Sequence, residues 1–224
     1  MKEKIIIIDT DLKAYYAKRA AEYDQIYQKT QRKSELSDLQ QKLKVYFDQA
    51  RVLEVACGTG YWTQFYAAAA SSVDAVDVNS EVLTIAENRQ IDANIQWLLA
   101  DFMQLNPLVS PKYDAAFIGF YLSHLLKIDR ISFFQQLHRF LQPGAKVLMI
   151  DNCFVKGEST PINRIDDDRN QYQMRTLNSG EQFEIVKNFP SQTELLTLMA
   201  EFNIKAEYQA GRYFWQLSYQ LAEG

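Results

Sequence analysis

Two of the chain's eight glycines fall in one short stretch, Val52-Leu53-Glu54-Val55-Ala56-Cys57-Gly58-Thr59-Gly60, where an apolar run ends in small residues. A buried strand that turns this tightly into a helix lets backbone approach a ligand closely and offers it free N–H groups. Asp77 closes the next apolar run, nineteen residues after Gly58, with Val78 beside it. A carboxylate at that place suits the paired hydroxyls of a ribose. Asp101 and Phe102 follow the third run, where a phenyl ring can lie against a flat heterocycle. Together these residue types describe a pocket for a nucleotide-like cofactor.

Such a pocket needs strands and helices to carry it. Apolar runs predict strands over 51–56, 73–78, 94–99, 113–119 and 146–153. Helices are expected between them over 60–70, 80–90 and 129–141, the last stopped by Pro143-Gly144. That alternation predicts an α/β fold, a mostly parallel sheet with helices on both faces. Residues 11–49 read as helical, with Leu36, Leu39, Leu43 and Phe47 on one face and Ser34 and Ser37 as candidate N-caps. Beyond the fifth strand, Lys156 to Asn170 is polar and contains Asp166-Asp167-Asp168. Strand-like runs 171–177 and 181–189, a helix over 191–202 and strands 204–209 and 212–220 complete the chain, with Gly211 turning the last two. Residues 156–189 read as an inserted loop and hairpin within one domain spanning 1–224.

A dinucleotide fingerprint requires G-x-G-x-x-G, but Thr63 stands at the third glycine position counted from Gly58, which counts against NAD. Glu54, Ala56, Gly58 and Gly60 instead resemble motif I of class I S-adenosylmethionine-dependent methyltransferases, E/D-x-G/A-x-G-x-G. The resemblance covers about residues 11–220 and implies a Rossmann-like, seven-stranded sheet completed by a reversed terminal strand. It implies S-adenosyl-L-methionine as cofactor, with Gly58, Thr59 and Gly60 beside its methionine portion. Asp77 resembles the ribose-binding acid, and Asp101 with Phe102 the adenine-binding pair. The Tyr15-Tyr16-x-x-Arg19-Ala20-x-x-Tyr23 segment resembles the helix that covers the cofactor, which adds Tyr16 and Arg19 to the cofactor set.

The second substrate of an open α/β sheet also sits beyond the strands' carboxyl ends. Strand 113–119 ends in Gly119-Phe120-Tyr121-Leu122-Ser123-His124, so Phe120 and His124 fall at that edge. His124 there is a candidate donor or general base. His138, inside helix 129–141, is expected to face solvent. If Asn178-Ser179-Gly180 is a three-residue hairpin loop with Gly180 left-handed, Arg175 faces Phe183 across the strands. Gln173, Arg175 and Leu177 then share a face with Phe183, Ile185 and Lys187. Two cations on a partly buried face call for an anion, which an acidic ligand would supply. The segments Phe120–His124, Arg175–Gly180 and Val186–Phe189 also look similar to those of a small-molecule subgroup that includes a phosphonate O-methyltransferase. That likeness implies His124, Arg175 and Lys187 as acceptor-binding groups, with Tyr23 and Tyr27 as further candidates.

Composition narrows the rest. Net charge is −4, so a polyanion such as nucleic acid is not the expected partner. The longest apolar stretch, Ala115–Leu122, is far below the roughly 20 residues of a membrane span. The opening MKEKIIII is too short for a secretory signal, and Cys57 and Cys153 lack ligand-spaced partners, so neither a disulfide framework nor a metal site is expected. The reading is a cytoplasmic enzyme that methylates a small, acidic molecule, with O-methylation favoured and 156–170 as a mobile cover. A non-catalytic S-adenosylmethionine-binding module and an NAD-dependent oxidoreductase are the alternatives. Oligomeric state is not legible.

Overall fold

In the computed structural model, which describes residues 11–107 and 112–223, seven strands form one twisted sheet. The strands are β1 (Arg51–Val55), β2 (Ser72–Asp77), β3 (Ile95–Leu99), β4 (Tyr113–Gly119), β5 (Leu141–Asn152), β9 (Ala206–Ala210) and β10 (Phe214–Gln220). Their order is β3-β2-β1-β4-β5-β10-β9. The first five are parallel neighbours, and β10 runs antiparallel to both β5 and β9. The expected Rossmann-like α/β sheet with a reversed terminal strand is thus present. The MKEKIIII segment lies outside the described residues.

The central strands β1 and β4 are buried on both faces, which is why they read as continuous apolar runs. One face packs Leu53, Val55, Ile118 and Met149 with α4 (Arg130–Phe140) and α5 (Gln192–Ala200). The other packs Val52, Phe117 and Leu148 against Leu36, Leu39, Leu43 and Phe47 from α2 (Lys33–Tyr46) and its end. A second sheet, β6 (Arg164–Ile165), β7 (Gln171–Thr176) and β8 (Gln182–Val186), is the inserted hairpin. Arg175 pairs with Phe183, Gly180 has φ +88°, and Gly180 N–H bonds Leu177 O, so the three-residue loop forms as its residues dictate.

Four local expectations are corrected. Over 11–49 the helical reading holds for α1 (Leu12–Arg19) and α2 but not between them, where a 3-10 stretch over Ala20–Gln28, an extended Lys29 and a 3-10 turn over Thr30–Arg32 follow one another. At three residues per turn Tyr23 and Ile26 fall along one line, and the extended backbone at Lys29 brings Lys29 and Arg32 to the same cavity as that pair. Because that turn runs directly into α2, Arg32 occupies the N-cap position with helical backbone, and Ser34 and Ser37 lie inside the helix. The segment 60–70 is a series of turns around a 3-10 turn at Thr63–Phe65, because Thr63 and Tyr66 point inward to bond Glu54. Finally, His138 does not face solvent. Its Nε2 meets Tyr219 Oη at 2.8 Å, its ring packs on Phe202, and burial lowers its pKa to about 4. Between β2 and β3, α3 (Ser80–Glu87) packs against β3, α1 and the 3-10 stretch.

Candidate active site

Two adjoining cavities open at the carboxyl ends of β1, β2 and β4. The larger, about 370 Å³, is lined by Ala56, Gly58, Asp77, Val78, Asn79, Asp101, Phe102 and Phe120, and roofed by Tyr16 and Tyr23. Both Asp77 oxygens are fixed from below: Oδ2 accepts the Gly58 N–H and Oδ1 the Asn79 N–H, each at 2.9 Å. Burial raises the Asp77 pKa, and those backbone donors oppose the rise. Asp101 accepts the Met103 N–H at 2.9 Å, which turns the chain so that Phe102 points inward. Asn79 Oδ1 is buried with no hydrogen-bond partner among the described residues, although Asn79 lines the cavity. An orphaned acceptor beside a carboxylate and an apolar slot of Val78, Val82 and Phe102 fits the hydroxyls and heterocycle of a nucleoside.

Ala56 and Phe120 have φ of +56° and +60°, the left-handed region where non-glycine residues are strained. Both line the cavity, so the strain sits where two strand ends turn to admit a ligand. The residue at 56 is the one for which glycine is commoner in the motif it resembles. Its backbone shows why.

The structure divides the expected cofactor set. Glu54, Thr59 and Gly60 are buried beneath or behind the glycine turn and do not line the cavity. Glu54 Oε2 accepts hydroxyl bonds from Thr63 (2.7 Å) and Tyr66 (2.6 Å). Burial pushes its pKa up to about 7. Thr59 donates to Asp24 at 2.7 Å, and Arg89 bonds both Thr59 and Asp24, tying the cover segment to the turn. A side chain at Gly60 would meet the Trp97 ring at 2.9 Å and Ala86 at 3.1 Å, so that glycine serves close packing. Arg19 lines the second cavity.

That second cavity, about 100 Å³, shares Tyr16, Tyr23, Phe120 and His124 with the first. Its other walls include Arg19, Lys29, Arg32, Arg175 and Lys187, with Ser159 and Thr160 from the inserted loop. Arg175 reaches Thr160 Oγ1 at 2.7 Å and Gln173 Oε1 at 2.6 Å, and its Nε is buried without a partner. Arg32 Nε is likewise unpartnered. The Arg19 guanidinium lies 5.0 Å from the Tyr23 ring centroid. Partial burial, then Arg32, Arg175 and Arg19, lower the Lys29 pKa. Among the described residues none of Arg19, Lys29, Arg32 and Arg175 has a carboxylate partner. The one acid of the rim, Glu158, is paired with Arg212.

The hairpin therefore does bring Arg175, Lys187 and His124 to one cavity beside the cofactor space. One premise is corrected: Lys187 has its anion inside the fold, Asp151 Oδ1 at 3.1 Å. Lys29 and Arg32 were missed by sequence reasoning, because the segment read as regular helix and the extended Lys29 between two 3-10 pieces leaves no periodic signal.

The architecture is Rossmann-like, and a cavity that fits a nucleoside adjoins a smaller one lined by cations. Residues 52–144 match the family described as "Methyltransferase domain", in agreement with the resemblance to class I S-adenosylmethionine-dependent methyltransferases. The 2-phytyl-1,4-naphtoquinone methyltransferase of Nostoc sp. (strain PCC 7120) is 32% identical over 106 residues, 44% of this chain and 45% of that protein. The match thus spans less than half the length of that curated relative. Among solved structures, one described as a DhpI-SAM-HEP complex has a TM-score of 0.77 at 25% identity, covering 92% of this chain and 94% of its own. A DhpI-SAH complex has a TM-score of 0.74 at 24% identity, with 93% and 94% covered, and shows the shared fold. The fit of the larger cavity to a nucleoside agrees with S-adenosylmethionine as the cofactor of this domain. Among the described residues no helix is long and apolar enough to cross a membrane.

Proposed function

We propose that this protein transfers the methyl group of S-adenosylmethionine to an oxygen of a small acidic molecule bound in the second cavity. The observation that carries this reading is the common wall of Tyr16, Tyr23, Phe120 and His124 between a nucleoside-shaped cavity and a smaller one bearing four cations that have no carboxylate partner among the described residues. Arg19, Arg32 and Arg175 are half-buried and Lys29 is exposed; an anionic ligand would offset the cost of gathering these like charges through charge-assisted hydrogen bonds. The likeness to a solved complex described with both SAM and HEP supports a small second ligand. The volume of about 100 Å³ argues against an acceptor as large as the phytylated quinone in the curated relative's name.

Asp77 and Asn79 would hold the ribose side of the cofactor, with Val78 and Phe102 against the adenine. When bound, the cofactor supplies an already activated sulfonium methyl. The chain's contribution is then alignment and exclusion of water. Arg175, with Arg19, Lys29 and Arg32, would bind and orient the acid, while the inserted loop through Ser159 and Thr160 closes that side. His124 stands where an attacking oxygen must pass.

Calorimetric titration with S-adenosylhomocysteine, followed by a product assay over a panel of small carboxylic, sulfonic and phosphonic acids, tests the reading. Tight cofactor binding and methyl transfer to a member of the panel are expected. Cofactor binding without transfer to any acid would leave a binding module; no cofactor binding by the folded chain would overturn the reading entirely.

A further inference from the structure

We propose that Tyr16 is a catalytic residue: its hydroxyl, committed as a donor to His124, accepts the proton of a hydroxyl group on the acceptor and relays its own proton to His124 Nε2. This rests on the functional reading above and deepens it, because it assigns the methylated atom to a hydroxyl and not to the acid that the cations hold.

The argument begins with hydrogen-bond direction. His124 Nδ1 lies 2.7 Å from Val186 O, a carbonyl that can only accept, so Nδ1 carries the proton. In the neutral ring Nε2 is then an acceptor. Tyr16 Oη lies 2.7 Å from Nε2 and must donate to it. Burial, followed by Lys187, Arg175 and Arg19, holds the His124 pKa well below its usual value, which favours that neutral form. Burial also raises the Tyr16 pKa, so the phenol keeps its proton until another group replaces it.

Tyr16 with its proton spent on His124 presents only lone pairs to the cavities. It lines both of them, as His124 does, so it stands at the passage the methyl must cross. A deprotonated acid oxygen would meet those lone pairs with repulsion. A hydroxyl would donate to them. The cations are distributed accordingly: Lys29, Arg32 and Arg175 line the second cavity alone and none of them lines the first. An acid anchored among them directs the rest of the molecule toward Tyr16.

The step balances without a further reactant. The hydroxyl oxygen bonds the methyl carbon as the carbon–sulfur bond breaks, its electron pair remaining on sulfur. The hydroxyl proton passes to Tyr16 Oη, and the Tyr16 proton passes to Nε2. The acid held by Arg175 and its neighbours offsets the positive charge gained by the ring. Both Tyr16 and His124 are locked from behind: Tyr16 packs edge-on to Tyr15 and His124, and His124 is fixed by Val186 O.

Nitrogen-15 histidine spectra of the full chain loaded with S-adenosylhomocysteine read the first half, since the protein has two histidines and His124→Gln identifies one of them. The Nδ1–H tautomer is expected for His124, with its Nε2 resonance displaced in Tyr16→Phe. An Nε2–H tautomer, or an Nε2 resonance unmoved in Tyr16→Phe, overturns the relay even where cofactor binding upholds the methyltransferase reading. The second half uses glycolate, lactate and 3-hydroxypropylphosphonate, each beside its deoxy counterpart. Methylation is expected of the hydroxy acids alone, with kcat for Tyr16→Phe lowered roughly 100-fold or more and KM little changed. Equal methylation of the deoxy acids overturns the relay while upholding acid methylation. No transfer to any of them, with tight cofactor binding, counts against the acceptor reading and the relay together.

Discussion

Lys187 Nζ and Asp151 Oδ1 form an ion pair at 3.1 Å whose side chains are 5% and 0% exposed. Ser123 completes it: its hydroxyl lies 2.6 Å from Nζ and its N–H donates to Asp151 Oδ2 at 3.0 Å. The pair joins the end of β5, the turn after β4 and the residue after β8, so it fixes the hairpin on the sheet that carries the site. Lys187 borders the second cavity, but its charge is already answered. Breaking one side of such a pair leaves a buried, unpaired charge. Lys187→Ala is therefore expected to destabilise the fold by about 3–5 kcal/mol in urea titrations. Lys187→Met combined with Asp151→Leu should restore most of that loss. A single variant as stable as the parent would mean that Asp151 finds other donors.

That pair also marks how far the sequence could be read. The parity of the hairpin followed from Asn178-Ser179-Gly180, and with it the shared face of Arg175 and Lys187, because turn chemistry is local. The counter-ion of Lys187 lies 36 residues away on another strand, and no local pattern announces it. The strands of the central sheet were legible because burial on both faces leaves continuous apolar runs. The cover segment was not: a 3-10 stretch has a different period, and only tertiary contact of Tyr23 and Tyr27 with the cavities selects it. Glu54 belongs to the recognisable motif, yet the hydroxyls that bond it come from Thr63 and Tyr66, in a segment whose pattern resembles a plain amphipathic helix.

Glu54 gives a pH dependence with a definite sign. Its folded pKa is about 7 against an ordinary 4.5, so the folded protein holds that proton more tightly than the unfolded chain. The associated stability is fully present below pH 4.5 and is lost as pH rises through 7. Linkage makes the loss on the order of 3 kcal/mol. Glu54→Gln should remove that slope, so its stability relative to the parent should rise between pH 5 and pH 8. Urea midpoints measured at both pH values check this, and parallel curves would show that Glu54 titrates normally.

Ala56 offers a test of backbone strain. With φ at +56° an alanine costs about 1–2 kcal/mol, whereas glycine adopts that region freely but loses more entropy on folding. The balance favours Ala56→Gly by about 0.5–1 kcal/mol in thermal or urea unfolding. Ala56→Val, branched at Cβ, should unfold more readily than either. A glycine variant less stable than the parent would mean that the Ala56 methyl group contributes more than its strain.

Asp77 carries the cofactor prediction. Its oxygens already hold the glycine turn through the Gly58 and Asn79 N–H groups, yet each keeps a further lone pair for a ribose hydroxyl. Asp77→Ala should weaken S-adenosylhomocysteine binding by roughly 1–3 kcal/mol. Titration calorimetry on a variant shown to be folded by circular dichroism reads it. Unchanged affinity would remove Asp77 from the ribose site.

Arg175 is the better probe of the acceptor, because its charge is not answered within the fold. Its Nη atoms bond neutral partners, Thr160 and Gln173, and burial lowers its pKa despite the neighbouring Tyr15 and Tyr16. A guanidinium in that state has hydrogen-bonding capacity directed at whatever enters the cavity, including the unpartnered Nε. Arg175→Ala should impair use of an acidic acceptor by about 1.5–3 kcal/mol, the scale of a hydrogen bond to a charged group. S-adenosylhomocysteine affinity should change little, since Arg175 does not line the larger cavity. Unlike Lys187→Ala, this variant should keep nearly its full urea stability, as no buried carboxylate is left behind. Kinetics with whichever panel acid is methylated separates the two effects. If Arg175→Ala left kcat/KM for that acid unaltered, the acid would have to be held elsewhere, and Lys29 and Arg32 on the cover would be the cations to replace next.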